Sequence, residues 1–185
     1  MRRVVLLFAG AAGLLAGCGN TRTAAPEVSQ PATPTGFHAL AYPRSGVAIS
    51  VPNNWLVQSK RTPLLSTISS GNAVVALWRY RRTLPPPTRR VALGAVQRQL
   101  IAGARARDPS FTLIRSRIQT IDATPAIELD AFERVAGQPR RVRSVHVFAP
   151  GAELVLDEYA PPGIFHAVDH AVFSPLKRSL RLSAA

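Results

Sequence analysis

The chain has 185 residues, 46% of them apolar and 18% charged, which suits one sizeable core and excludes general disorder. A single cysteine excludes an intramolecular disulfide framework and a cysteine-rich zinc site. Lys and Arg number 23 against ten Asp and Glu, a formal charge of +13, so an anionic partner has to be considered.

Residues 1–18 read MRRVVLLFAGAAGLLAGC. Arg2 and Arg3 precede an uncharged, largely apolar run over 4–15. As a helix that run spans roughly 18 Å, well short of a bilayer core of about 30 Å, so it fits a secretion leader better than a membrane span. Leu15-Ala16-Gly17-Cys18 resembles the lipobox of bacterial lipoproteins. The resemblance implies a signal peptide over 1–17, cleavage before Cys18, and acyl chains such as palmitate on Cys18. Two or more chains make a stable anchor, since each buried methylene contributes about 0.8 kcal/mol. The protein is therefore expected outside the cytoplasm, lipid-anchored to the cell membrane in the envelope.

Residues 18–36 follow as a tether rich in Pro, Thr and Ala, with Pro26, Pro31 and Pro34 and one large aliphatic, Val28. Such a segment buries too little to offset its ordering entropy. One globular domain is expected over 37–185. Alternation predicts a strand over 46–52, stopped by Pro52-Asn53-Asn54, then a weak strand over 64–69 and a strong one over 73–80. After Pro85-Pro86-Pro87, a helix is expected from an N-cap at Thr88 to Arg107. Leu93, Val96, Leu100 and Ala104 form its core stripe, Arg98 and Arg105 lie opposite, and Val91 and Ile101 fall outside the stripe under deeper cover. Four strands are expected at 111–121, 126–135, 141–149 and 153–159, with turn residues at 122–125, 136–139 and 150–151. A closing helix over 164–180 is expected to kink or restart at Pro175. Strands grouped around two separated helices read as α+β with a mostly antiparallel sheet of about six to seven strands.

Three stretches resemble the PsbP-like superfamily, which includes photosystem-II extrinsic proteins, Ran-binding Mog proteins and actinobacterial lipoproteins of the LpqN type. They are YPRSGVAISVPNNW at 42–55, IDATPAIEL at 121–129, with Ala123 where Gly is common, and the last strand, loop and helix over 154–180. The resemblance covers about 37–183 and rests on core and turn residues. It implies an α/β/α sandwich and a binding or accessory role, and it transfers no catalytic residue.

His166 and His170 stand at metal-compatible i, i+4 spacing, but Lys177 is placed on their face, so no metal is assigned. No Gly-x-Ser-x-Gly elbow is present, and Ser50, Ser66 and Ser144 sit in strand patterns. Glu128 and Asp130 read as solvent-facing strand positions. No cofactor fingerprint appears and no cofactor is called for. Trp55, Trp78 and Tyr80 read as core, with a pocket as the competing reading. The arginines are the distinctive feature. Arg115 with Arg117, and Arg141 with Arg143, share strand faces and are the candidate anionic-surface stripe, facing lipid head groups or envelope polymer. The excess also reads as composition alone, from an Ala-, Arg- and Pro-rich chain. Nucleic acid is not expected, for want of a recognition motif. The expected role is a binding or accessory module in the cell envelope. The competing roles are a lipid or glycolipid carrier and an envelope hydrolase, discriminated by an apolar cavity or by a cleft joining a serine or carboxylate to a histidine.

Overall fold

The computed structural model describes residues 30–183, so Cys18, the leader and the first part of the tether lie outside the described residues. The elements run β1 (Phe37–Tyr42), β2 (Val47–Pro52), β3 (Leu56–Ser59), β4 (Leu64–Ser70), β5 (Ala73–Arg81), α1 (Arg90–Arg107), β6 (Thr112–Ile121), β7 (Thr124–Val135), β8 (Gln138–Ala149), β9 (Ala152–Ala160), α2 (Pro162–Val168), a π turn (Asp169–Phe173), α3 (Ser174–Ser179) and β10 (Arg181–Leu182). Seven strands form the central sheet in the order β3-β4-β5-β9-β8-β7-β6, and β1-β2-β10 form a small second sheet. Every pairing is antiparallel. The α+β class with a mostly antiparallel central sheet is thus the observed one.

Period-two alternation sorts the strands into two faces. On one face Val75, Leu77, Val145, Val147, Leu154 and Leu156 pack with Val47, Ile49 and Val51 of β2 and with Phe165, Phe173 and Leu176 of the closing helices. On the other face Ile127, Leu129 and Phe148 take Leu93 of α1, with Val96, Leu100 and Ile101 alongside. The result is a layered sandwich whose second layer also contains the small sheet. The strand expected at 46–52 belongs to that small sheet, paired with a β1 that the sequence did not announce, while β3 supplies the central sheet's edge.

Three local expectations change. Helix α1 starts at Arg90 with Arg89 as N-cap, and no side chain caps it, so Thr88 is not the cap. Val91 is 84% exposed rather than covered. Pro175 restarts the helix as expected. Proline has no N–H to give to the carbonyl four residues back, and the wide turn ahead of it closes instead with Ser174 N–H donating to the Asp169 carbonyl. The turn at Asp122-Ala123 holds both residues at positive φ, +46° and +59°, which explains why glycine would suit position 123.

The domain's hydrogen bonding begins upstream of Phe37. Trp55 Nε1 donates to the Ala32 carbonyl at 3.0 Å, and Ala32 N–H donates to Ser70 Oγ at 2.9 Å. Asn54 Nδ2 donates to the Thr33 carbonyl at 2.8 Å, and Asn53 N–H to the Gly36 carbonyl at 2.9 Å. The last residues of the expected tether are therefore pinned to the β2–β3 turn. Trp55→Phe keeps the buried ring and removes its donor. It is expected to cost about 1 kcal/mol in a urea melt and to speed proteolysis selectively between residues 30 and 36.

Candidate functional site

The four predicted arginines do share one sheet face, but they do not form a free stripe. They converge on carboxylates that the sequence placed in solvent. Glu128 and Asp130 are each only 1% exposed. Arg117 Nη2 lies 2.9 Å from Glu128 Oε1, and Arg115 Nη2 lies 3.5 Å from Asp130 Oδ2. Arg141 forks onto Asp130 through Nε at 3.0 Å and Nη2 at 2.7 Å. Arg143, 4% exposed, forks onto Asp169 of the π turn at 2.5 and 2.8 Å and reaches Glu158 at 3.4 Å. Lys177 of α3 donates to Glu128 at 2.6 Å, so it does not serve His166 and His170, which are both exposed. The Arg141 and Arg143 guanidinium carbons also lie 4.7 and 5.5 Å from the Phe165 ring centroid, beneath α2. The cluster is a rivet between the sheet and the closing helices.

Its register is set by three two-residue turns. Ile121 pairs with Thr124, Val135 with Gln138, and Ala149 with Ala152. Counting outward from the first turn sets Arg117 opposite Glu128 and Arg115 opposite Asp130. Counting from the other two sets Arg143 opposite Asp130 on one side and Glu158 on the other. The turn residues were visible in the sequence, so this counting was the signal that would have found the rivet.

The charges in the rivet shift strongly. Burial opposes the Glu128 charge, yet the Lys177 and Arg117 contacts hold its carboxyl below the usual range. Burial likewise opposes the Asp169 charge, and the Arg143 fork with the Ser174 hydroxyl still brings it down to about 2. Burial also disfavours the Arg143 charge, but the Asp169 hydrogen bonds and Glu158 raise its pKa overall. Glu158 is different. Burial dominates the attraction of Arg143 and pushes it up to about 8, and its Oε1 has no hydrogen-bond partner.

Seventeen residues line a cleft of about 520 Å³ on the opposite sheet face, beneath the C-terminal half of α1. Helix α1 packs over β6 and β7, leaving the face of β5, β9 and β8 open beside it. Ser144 Oγ donates to Asp157 Oδ1 at 2.5 Å and lies 3.2 Å from His146 Nε2. His146 Nδ1 lies 2.8 Å from Glu153 Oε1, and Arg82 Nη1 donates to Glu153 Oε2 at 2.9 Å. Trp78 and Tyr80 stack on each other at the cleft wall, centroids 6.1 Å apart, whereas Trp55 is core. Burial raises the pKa of both Asp157 and Glu133. Sequence reasoning met Ser144 only as an isolated strand serine and did not find His146. Their i, i+2 spacing on β8 was the available signal.

The arginines left without an acidic partner lie elsewhere. No Asp or Glu occurs between Glu27 and Asp108. Arg90, Arg98 and Arg105 are exposed along α1, and none has an ion pair among the described residues.

Two pH and stability outcomes test the rivet. Arg143→Met leaves three buried or half-buried carboxylates without their shared cation and is expected to destabilise by about 3–5 kcal/mol in denaturant melts. A carboxyl raised in the fold binds protons more tightly than in the unfolded chain. Glu158 therefore contributes stability that is complete below its ordinary pKa and lost as pH rises through about 8. Asp169 has the opposite sign: its contribution is present above the ordinary aspartate range and lost as pH falls toward about 2. Glu158→Gln is expected to flatten the fall in urea midpoint between pH 5 and 8 while leaving acid unfolding unchanged.

No protein-family model matches the chain, and no curated protein matches it in sequence. Solved structures do match. The solution structure of cyanobacterial PsbP (CyanoP) from Synechocystis sp. PCC 6803 superposes with a TM-score of 0.61 at 12% identity, over 92% of this chain and 100% of that one. A Pseudomonas aeruginosa protein described as a putative regulator, PA94, gives 0.54 at 17% identity, over 80% and 99%. LpqN, involved in cell envelope biogenesis of Mycobacterium tuberculosis, gives 0.53 at 16% identity, over 80% and 91%. At these identities the likeness speaks to architecture alone, and the chain has the PsbP-like fold.

Proposed function

We propose that the protein is an extracytoplasmic accessory module, anchored through acyl chains on Cys18, that rests on anionic lipid or envelope polymer through the outer face of α1. The observation that carries this reading is the arrangement of unpaired charge. Arg90, Arg98 and Arg105 lie on the exposed side of a helix with no acidic residue, interleaved with the exposed Val91, Ala102 and Ala106. Guanidinium forks match phosphate oxygens, and each cation near an anionic bilayer is worth about 1 kcal/mol. The contact thus moves from Arg115, Arg117, Arg141 and Arg143, which are committed to internal pairs, to this helix. The similarity to LpqN, a protein involved in cell envelope biogenesis, supports such an address.

The role is binding rather than catalysis. Ser144, His146 and Glu153 are aligned, but the serine proton is directed at Asp157, and the backbone around Ser144 lies inside the β7-β8-β9 ladder. N–H groups bonded between strands are not free to stabilise an oxyanion. Carriage of an alkyl chain is disfavoured by the ionisable floor of the cleft.

Two measurements test the reading. Cys18→Ala in a lipidating bacterial host is expected to move the protein from the membrane to the soluble fraction, and unchanged retention refutes the anchor. The chain from residue 18 bearing Cys18→Ser keeps every described residue. It is expected to sediment with phosphatidylglycerol vesicles but not phosphatidylcholine vesicles, less so as salt rises. Arg90→Gln, Arg98→Gln and Arg105→Gln together are expected to weaken that binding roughly a hundredfold. Salt-insensitive binding, or binding indifferent to the triple change, sinks the α1 contact.

A further inference from the structure

We propose that the cleft beneath α1 is a binding site for an organic ammonium ion carrying an apolar body. The site is independent of the membrane-facing side of α1 and goes beyond that reading. Its volume, about 520 Å³, lies within the range of small-ligand pockets. Small residues keep it open on the helix side. Buried Ala104 and exposed Gly103 border the cleft there, and a Cβ built on Gly103 meets no atom within 4 Å.

The lining selects the sign of the ligand. Asp157 and Glu133 both border the cleft. The third carboxylate beside them, Glu153, is already matched by Arg82 and His146. Glu133 meets Arg107 only at 4.0 Å, and that guanidinium is 71% exposed at the rim. The chain's overall charge makes an anion the default ligand at long range, but the cleft's lining sets the Asp157 and Glu133 carboxylates against one exposed guanidinium, Arg107, and the His146 imidazole. An anionic ligand would face two desolvated carboxylates. A neutral ligand would leave their charge unmatched. Burial raises the pKa of Asp157 and Glu133 and outweighs the attraction of Arg107 on each, so a cation brought into the cleft would stabilise a charge that the fold alone disfavours.

The walls suit an ammonium group with attached carbon. Trp78, Tyr80 and Tyr159 border the carboxylates, and indole and phenol faces attract cations, alkylated ones included. Leu100, Leu129, Val142 and Val155 supply an apolar lining for the remainder of the ligand.

The test uses the chain from residue 18 with Cys18→Ser, titrated with benzyltrimethylammonium and followed by tryptophan fluorescence and calorimetry. Trp78 reports, because Trp55 is buried in the other layer. Saturable one-to-one binding is expected, at least roughly tenfold tighter than for the neutral isostere neopentylbenzene or the anion benzenesulfonate. Asp157→Asn and Glu133→Gln are each expected to weaken it roughly tenfold, and Gly103→Leu to block it by filling the space. If Asp157→Asn impairs folding, Glu133→Gln and Gly103→Leu decide. The proposal is overturned by no saturation up to about 10 mM, by equal affinity for the neutral isostere, or by folded variants that bind as the parent does. Vesicle binding by these variants is expected to be unchanged, so failure here leaves the membrane reading standing.

Discussion

A guanidinium buried in a sheet must be answered by carboxylates, and the rest of this structure is arranged around that demand at Arg143. Its fork onto Asp169 is the contact by which the closing helices are located on the sheet. The π turn sits where Asp169 must reach down and where Pro175 would otherwise break a regular helix, so one irregularity serves both needs. Lys177, two residues beyond Pro175, then reaches Glu128 from above. Hydrophobic contacts of Phe165, Phe173 and Leu176 provide the burial, but they would tolerate sliding. Directed ion pairs fix the register, the role for which buried polar groups are best attested.

The rivet also explains where the charge of the molecule lies. Of ten acidic residues only Glu27 lies outside the described residues. Glu128, Asp130, Glu158 and Asp169 are in the rivet, Glu133 and Asp157 border the cleft, and Glu153 pairs with Arg82 and His146. Asp108 accepts from Ser110 and from the Arg134 N–H, and Asp122 accepts from the Leu182 N–H. Every described acid therefore has a structural address in the second half of the chain. The stretch between Glu27 and Asp108 contributes β1 to β5 and α1 with no acid of its own, which leaves α1 cationic on its outer side.

Much of the fold was legible in residues taken a few at a time. Alternation found β2, β5 and β6 to β9, the Leu93-Val96-Leu100-Ala104 stripe found α1, and Pro175 marked the helix restart. What failed was anything that required two segments to be aligned. Glu128 and Asp130 alternate like solvent-facing residues, and only the cross-strand partners Arg117 and Arg115 reveal them as buried. Val91 looked covered because one helix read alone cannot show how far the sheet extends beneath it. Strand β1 was missed because its weak alternation becomes informative only beside β2. The four arginines were correctly grouped by face and incorrectly assigned to solvent, since pattern gives the side of a strand and not what comes to rest upon it.

The two faces of β8 differ by one residue. Arg141 and Arg143 point into the rivet, while Val142, Ser144 and His146 line the cleft. A cleft floor gains specificity only if it does not move when occupied, because a mobile floor spends binding energy on its own ordering. Here β8 and β9, which carry Ser144, His146 and Asp157, are locked from behind by Arg143 and Glu158, with Asp130 of the neighbouring β7 opposite Arg143. The rivet thus does for the cleft what a second hydrogen-bonded shell does for a metal site: it holds the recognising side chains from a place the ligand never touches.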